Sequence, residues 1–104
     1  MDVSEGEIED PNAIAAVIRR RIGAVKGCYD LALKRNPDIK GKVVVKFTIG
    51  ETGAVVDISI EDNSTGDNGV ANCISQRVRN FRFPKPKNGK VTVAYPFILQ
   101  SSKG

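Results

Sequence analysis

Two cysteines, Cys28 and Cys73, are the residues of this 104-residue chain whose type best suits chemistry. A thiol nucleophile needs a base beside it, and the sequence contains no histidine, which removes the commonest partner. Two cysteines without histidine also cannot complete a structural zinc site within one chain. The pair can still form a disulfide, sense redox state, or fill a core as two small apolar side chains. The other candidates are carboxylates. Asp57, Glu61 and Asp62 stand close together, and paired carboxylates do acid–base work when a cleft drives their pKa values apart. Here they alternate with core positions and are expected to face water. A glycine-rich phosphate loop is missing. Asn63-Ser64-Thr65 matches a glycosylation acceptor, a pattern short enough to arise by chance. The expectation is a non-enzyme with no catalytic residue, metal, cofactor or small-molecule substrate.

The bulk numbers bound what else is feasible. The length suits one domain, and 40% hydrophobic residues with six aromatics and no tryptophan make a thin core. No apolar run is long enough to span a bilayer. The acidic start is unlike a secretory signal, so a domain working outside the cytoplasm is expected to be a piece of a longer protein. The net charge of +4 is unevenly spread. Residues 1–10, MDVSEGEIED, hold five of the twelve acids, leaving sixteen bases against seven acids, or +9, in the remainder. The leader reads as an acidic linker end. A basic body is compatible with nucleic acid, an acidic partner or an anionic surface.

The elements follow from periodicity. Asp10-Pro11-Asn12 carries helix-start chemistry. Ile14, Val17, Ile18, Ile22, Val25, Tyr29, Ala32 and Leu33 recur at three- and four-residue spacing, predicting one helix from Asn12 to Asn36, where Pro37 stops it. Cys28 falls on the flank of that stripe. Val43, Val45, Phe47 and Ile49 alternate with Lys42, Val44, Lys46 and Thr48, and Val56, Ile58 and Ile60 alternate with Asp57, Ser59 and Glu61. With Gly50-Glu51-Thr52-Gly53 between them, these runs predict an antiparallel hairpin. A second helix is expected over Asn68 to Asn80, with Val70, Ile74, Val78 and Phe81 inward and Cys73 on the flank. Phe81 and Phe83 should plug the core's end. A last strand covers Lys90 to Leu99, with Val91, Val93, Tyr95, Phe97 and Leu99 on one face. Pro96 lacks an N–H, so this strand belongs at an edge. The predicted fold is α+β: α-β-β-α-β, two helices packed on one face of a three-stranded antiparallel or mixed sheet, order 2-1-3.

If both helices cover the same face, the cysteine-bearing flanks could meet. A Cys28–Cys73 disulfide would close a loop of 45 residues, worth about 4 kcal/mol by chain entropy, and would imply an oxidising compartment such as the periplasm. Two free buried thiols are the alternative.

Laid out in this way, the chain resembles a TonB-type C-terminal domain. More narrowly, it is similar to the AgmX/PglI-type subgroup of myxobacterial gliding-motility proteins. The resemblance runs from Ile14 to Leu99, and residues 11–100 are taken as the domain, with 101–104 a tail. It is carried by Cys28-Tyr29, Asn36-Pro37, Gly41-Lys42-Val43-Val44-Val45-Lys46-Phe47, Gly53, Asn63-Ser64-Thr65, Cys73-Ile74, Phe81-Arg82-Phe83-Pro84 and Tyr95-Pro96-Phe97. The paired cysteines point to the subgroup. General TonB domains often have tryptophan before the Phe-Pro, where this chain has Phe81 or Arg82.

The resemblance implies a periplasmic protein-interaction domain of an energy-transducing or gliding-motility protein whose parent is anchored in the inner membrane. Such domains couple a motor there to an outer-membrane or periplasmic protein segment by edge-strand pairing. In the residues themselves the counterpart is the last strand, where Val91, Thr92, Val93, Ala94 and Tyr95 would offer backbone groups to a partner. Arg77, Arg79, Arg82, Lys85, Lys87 and Lys90 precede it and could steer an acidic segment, or simply be solvated. The rival reading is a basic αβ domain that binds nucleic acid or peptidoglycan. Few aromatics remain outside the expected core for stacking on bases, which weighs against nucleic acid. Peptidoglycan is kept as a minor mode.

Overall fold

The computed structural model describes residues 11–87 and 89–100. The acidic leader, the tail and Asn88 lie outside the described residues. The elements run α1 (Pro11–Arg20), α2 (Ile22–Arg35), β1 (Gly41–Ile49), β2 (Val55–Asn63), α3 (Asn68–Arg79) and β3 (Val91–Leu99). The sheet has the order β2-β1-β3, and both neighbours of β1 pair antiparallel to it. Inward residues of all three strands join the helices' buried residues in one hydrophobic cluster. Among the described residues no helix is long and apolar enough to cross a membrane.

The first helix departs from expectation, because it is two. At Arg21 the backbone N–H donates to both Val17 O and Ile18 O at 3.1 Å, and Ala24 N donates to Arg21 O at 3.0 Å. That tightened turn breaks the register. An unbroken helix would run about 37 Å, against about 30 Å for the strands it covers. The break gives α1 and α2 separate apolar faces, and Gly23, a poor helix former, follows it closely. Ile22, expected inward, is consequently 44% exposed. Cys28 is the opposite case: expected on a flank, it is 1% exposed and lies in the core.

The hairpin forms as read, with one correction. Phe47 faces Ile58 and Val45 faces Ile60, so β1 and β2 share an inner face. The register shifts between Thr48 and Ile49 and again between Val44 and Val45. At the first shift Val56 is the extra residue. It turns outward to 51% exposure, and Val55 takes the buried position beside Ile49. The connection closes through Gly50 N to Ala54 O and Gly53 N to Gly50 O.

Gly53 matters for a second reason. Its φ is +89°, and a Cβ there would collide with the Phe83 carbonyl oxygen. Phe83 N donates to Gly53 O at 2.9 Å, and Ala54 bridges Arg82. The exit from α3 is thus clamped to the hairpin turn. Phe83 stacks on Phe47 with ring centroids 5.3 Å apart, and Phe81 lies 6.3 Å from Phe83, closing that end of the core.

The β2–α3 turn is held by side chains. Asn63 Oδ1 accepts from Thr65 N and Thr65 Oγ1, and its Nδ2 donates to Asp67 O at 3.1 Å. That amide is occupied within the turn, which disfavours the glycosylation reading. Asp67 caps α3 by accepting from Gly69 N and Val70 N, and its other oxygen accepts from Arg35 at 2.9 Å. The carboxylate therefore ties the end of α2 to the start of α3.

Two predictions follow from these contacts. Gly53→Ala meets both strain and collision, whereas Gly66→Ala, at φ +79° with open space around it, meets strain alone. Strain is worth about 1–3 kcal/mol at either position. Urea unfolding should show the larger loss for Gly53→Ala, and equal losses would contradict the clamp. The Arg35 guanidinium donating to Asp67 holds its carboxyl below the usual carboxylate range, aided by the helix-start N–H groups. A lowered folded pKa contributes stability above the ordinary aspartate value of about 3.9 and loses it as pH falls through the folded value. Asp67→Asn should flatten the fall in stability below about pH 4, measured by thermal melts at stepped pH.

Candidate functional site

Two edges bound the sheet, and the backbone decides what each can offer. Lys42 N donates to Ser64 Oγ and Lys42 O accepts from Ser64 N, each at 2.9 Å. Both peptide groups of Lys42 thus face the β2 side, so its opposite residue in β3, Ile98, exchanges no ladder bonds with it. The β1–β3 register runs from Gly41 opposite Leu99 to Ile49 opposite Val91 without a shift. Alternation then carries the pattern along β3. Val91, Val93, Tyr95, Phe97 and Leu99 bond β1, while Thr92, Ala94, Pro96 and Ile98 turn their backbone outward. Pro96, opposite Val44, falls where no donor is needed inside the sheet. On the open edge it presents a carbonyl without an N–H.

This places the sequence-named stretch Val91–Tyr95 at a true edge, and divides it. Only Thr92 and Ala94 of those five have free-facing amides, and Ile98 adds another beyond Pro96. Thr92 also meets Thr48 across the strands, Oγ1 to Oγ1, at 3.0 Å.

Beside the C-terminal half of β3 the structure opens a groove of about 550 Å³ against α2. Its floor is Val25, Tyr29, Phe97 and Leu99, all buried. Tyr29 OH donates to Ile39 O at 2.9 Å, which satisfies the one polar group on that floor. Ile22, Leu33, Tyr95 and Ile98 form the rim with Lys26 and Asp30. The sequence reading did not single out Ile98. The available signal was a large apolar residue at a water-facing position of the last strand.

One wall of the groove depends on sulfur. Cys28 of α2 and Cys73 of α3 are joined by a disulfide, with Cα atoms 5.7 Å apart. The extensive packing of α2 is against α3, and α3 in turn lies on β2. The six basic residues named ahead of β3 are all exposed: Arg77 and Arg79 on the last turn of α3, Arg82 at the Ala54 bridge, Lys85 and Lys87 in the arm, and Lys90 before the strand. Asp57, Glu61 and Asp62 are exposed on β2. Among the described residues no polar or charged side chain other than the Tyr29 hydroxyl is buried, and no group of three or more Asp, Glu or Cys side chains is placed to hold a metal.

No family model matches the sequence, and no curated protein matches it. Solved structures do. The solution structure of the Pseudomonas aeruginosa TonB C-terminal domain superposes with a TM-score of 0.56 at 22% identity, covering 70% of this chain and 77% of that one. One solution structure of the Helicobacter pylori domain gives 0.56 at 24% identity over 85% of this chain and 97% of that one. The fold is that of a TonB C-terminal domain. A longer Helicobacter pylori TonB domain agrees, with a TM-score of 0.50 at 19% identity over 82% of this chain and 84% of that one. At these identities the TonB likeness speaks to architecture. The helix pair over a β2-β1-β3 sheet is its content here.

The tether yields a prediction. Replacing both Cys28 and Cys73 by alanine, or reducing the bridge across its 45-residue separation, should lower unfolding stability by about 4 kcal/mol. Urea titration with and without a dithiol reductant checks this. A loss below about 1 kcal/mol would mean that packing alone holds α2 on α3.

Proposed function

We propose that this domain is a protein-interaction module that accepts an extended segment of an outer-membrane or periplasmic protein along the open edge of β3. The observation that carries the reading is the outward backbone of Thr92, Ala94 and Ile98, at an edge which β1 pairs on its other side without a bulge. Backbone pairing supplies affinity with little demand on sequence. It also suits the transfer of force, because a strand pulled along its length must break several bonds together. The exposed bases from Arg77 to Lys90 would steer an acidic segment toward that strand.

The fold likeness supports a TonB-type role, in which the domain stands in the periplasm, its parent is anchored in the inner membrane, and it couples a motor there to the outer membrane. The bridge between Cys28 and Cys73 supports an oxidising compartment. Those paired cysteines are also the feature by which the chain resembles the AgmX/PglI-type gliding subgroup, so the coupled machine in this reading is a motility complex. Catalysis has no place in it.

Amide hydrogen exchange with and without candidate partner peptides tests the reading. Thr92, Ala94 and Ile98 should gain protection of at least tenfold, while Val91, Val93 and Tyr95, already bonded to β1, should change little. Protection confined to the last turn of α3 around Arg77 and Arg79, or none anywhere, would overturn it.

A further inference from the structure

The break between α1 and α2 leaves five consecutive residues exposed, Arg19, Arg20, Arg21, Ile22 and Gly23, and Lys26, also exposed, follows one turn after Ile22. From this we infer that the elbow is a contact site for an anionic phospholipid surface, with the bases on lipid phosphates and Ile22 among the acyl chains beneath them. The site is separate from the edge of β3 and does not depend on the docking reading.

Three observations carry it. The first is charge. Residues 11–29 hold Arg19, Arg20, Arg21 and Lys26 and no acid, and the carboxylate nearest to them along the chain, Asp30, lies one turn beyond Lys26. Each base held close to an anionic bilayer strengthens binding about fivefold. The second is Ile22. Its spacing with Ile18 and Val25 belongs to a buried stripe, yet the tightened turn at Arg21 leaves it 44% exposed in the middle of the bases. An apolar side chain ringed by long cationic ones suits the boundary between headgroups and acyl chains, where arginine and lysine stems reach up to phosphate. A nucleic acid or a glycan strand would engage the bases and leave Ile22 in water. The third is the setting. Ile22 and Lys26 line the depression whose other wall is Tyr95 to Gln100, and that wall brings no acid to the elbow.

The acidic leader is the rival occupant. It joins the chain at Pro11, eight residues before Arg19, and its five acids are complementary to the elbow in sign. With the leader counted the chain still carries +4, so positive charge remains for an anionic surface. Ile8, between Glu7 and Glu9, offers Ile22 one apolar side chain, against a continuous apolar layer under the phosphates of a bilayer.

Flotation of the full chain with phosphatidylcholine vesicles, with and without phosphatidylglycerol, tests the site. The domain should bind the vesicles that contain phosphatidylglycerol, ignore the others, and release as salt is raised. Arg19→Gln with Arg20→Gln should weaken binding about 25-fold. Lys85→Gln with Lys87→Gln removes the same charge from the arm before β3 and should weaken it less than about fivefold. Ile22→Ser, with charge unchanged, should weaken it about fivefold. All of these positions are exposed, so the core is untouched. Equal losses in the two double variants would mean attraction by net charge alone and overturn the elbow. Full binding by Ile22→Ser would mark a site for polyanions in general and overturn the bilayer as its occupant. Binding that appears only once residues 1–10 are deleted would assign the elbow to the leader and overturn lipid as its occupant. No binding with or without the leader would overturn the site outright.

Discussion

The position of α2 hangs on its seam with α3, and that seam contains the Cys28–Cys73 bond. The backbones approach most closely from β1 to β2, from β2 to α3 and from α3 to α2, while α2 meets the sheet through longer side chains of the shared core. The thin core makes such a link vulnerable. Its buried side chains are mostly valine and isoleucine, with Phe47 the largest that is fully enclosed. At the end of α2 the covalent bond is joined by the Arg35–Asp67 pair, which holds the same two helices together. An exposed ion pair alone contributes little. Here the same carboxylate also caps α3, so one side chain serves both the helix start and the helix–helix contact.

The second constraint is a missing hydrogen. An antiparallel edge offers a regular row of donors and acceptors, and such rows invite self-association. Pro96 interrupts the row in β3 without disturbing the pairing to β1. The other edge is treated differently: β2 carries two register shifts and a row of exposed acids. The two edges are therefore unequal, and the straighter one lies next to the groove.

Much of this was legible in the sequence, for identifiable reasons. Apolar residues at every second position in 43–49 and 91–99 placed β1 and β3, and proline put β3 at the edge. Turn residues marked both ends of α3. The break at Arg21 was not legible, since Ile18, Ile22 and Val25 keep helical spacing straight through it. The outward turn of Val56 was hidden for a related reason: two adjacent valines allow either to be the inward one, and only the bulge decides. The cysteines could be placed near one another but not in depth, because their burial depends on how closely the helices approach. The groove itself lay beyond reach, as it exists only where α2 and β3, far apart in sequence, face one another.

The position of the sulfur bridge along the chain carries a mechanical consequence. Residues 28 to 73 form a closed ring that contains all of β1 and β2, while β3 lies outside it. A load applied through the last strand would peel or slide it from β1 before anything inside the ring could be drawn out straight. The 45 residues spanned would otherwise contribute about 16 nm of extended chain. While the bridge is oxidised that length stays concealed, so a stretched domain gives way by one strand and retains a covalently closed remnant on which the strand can re-form.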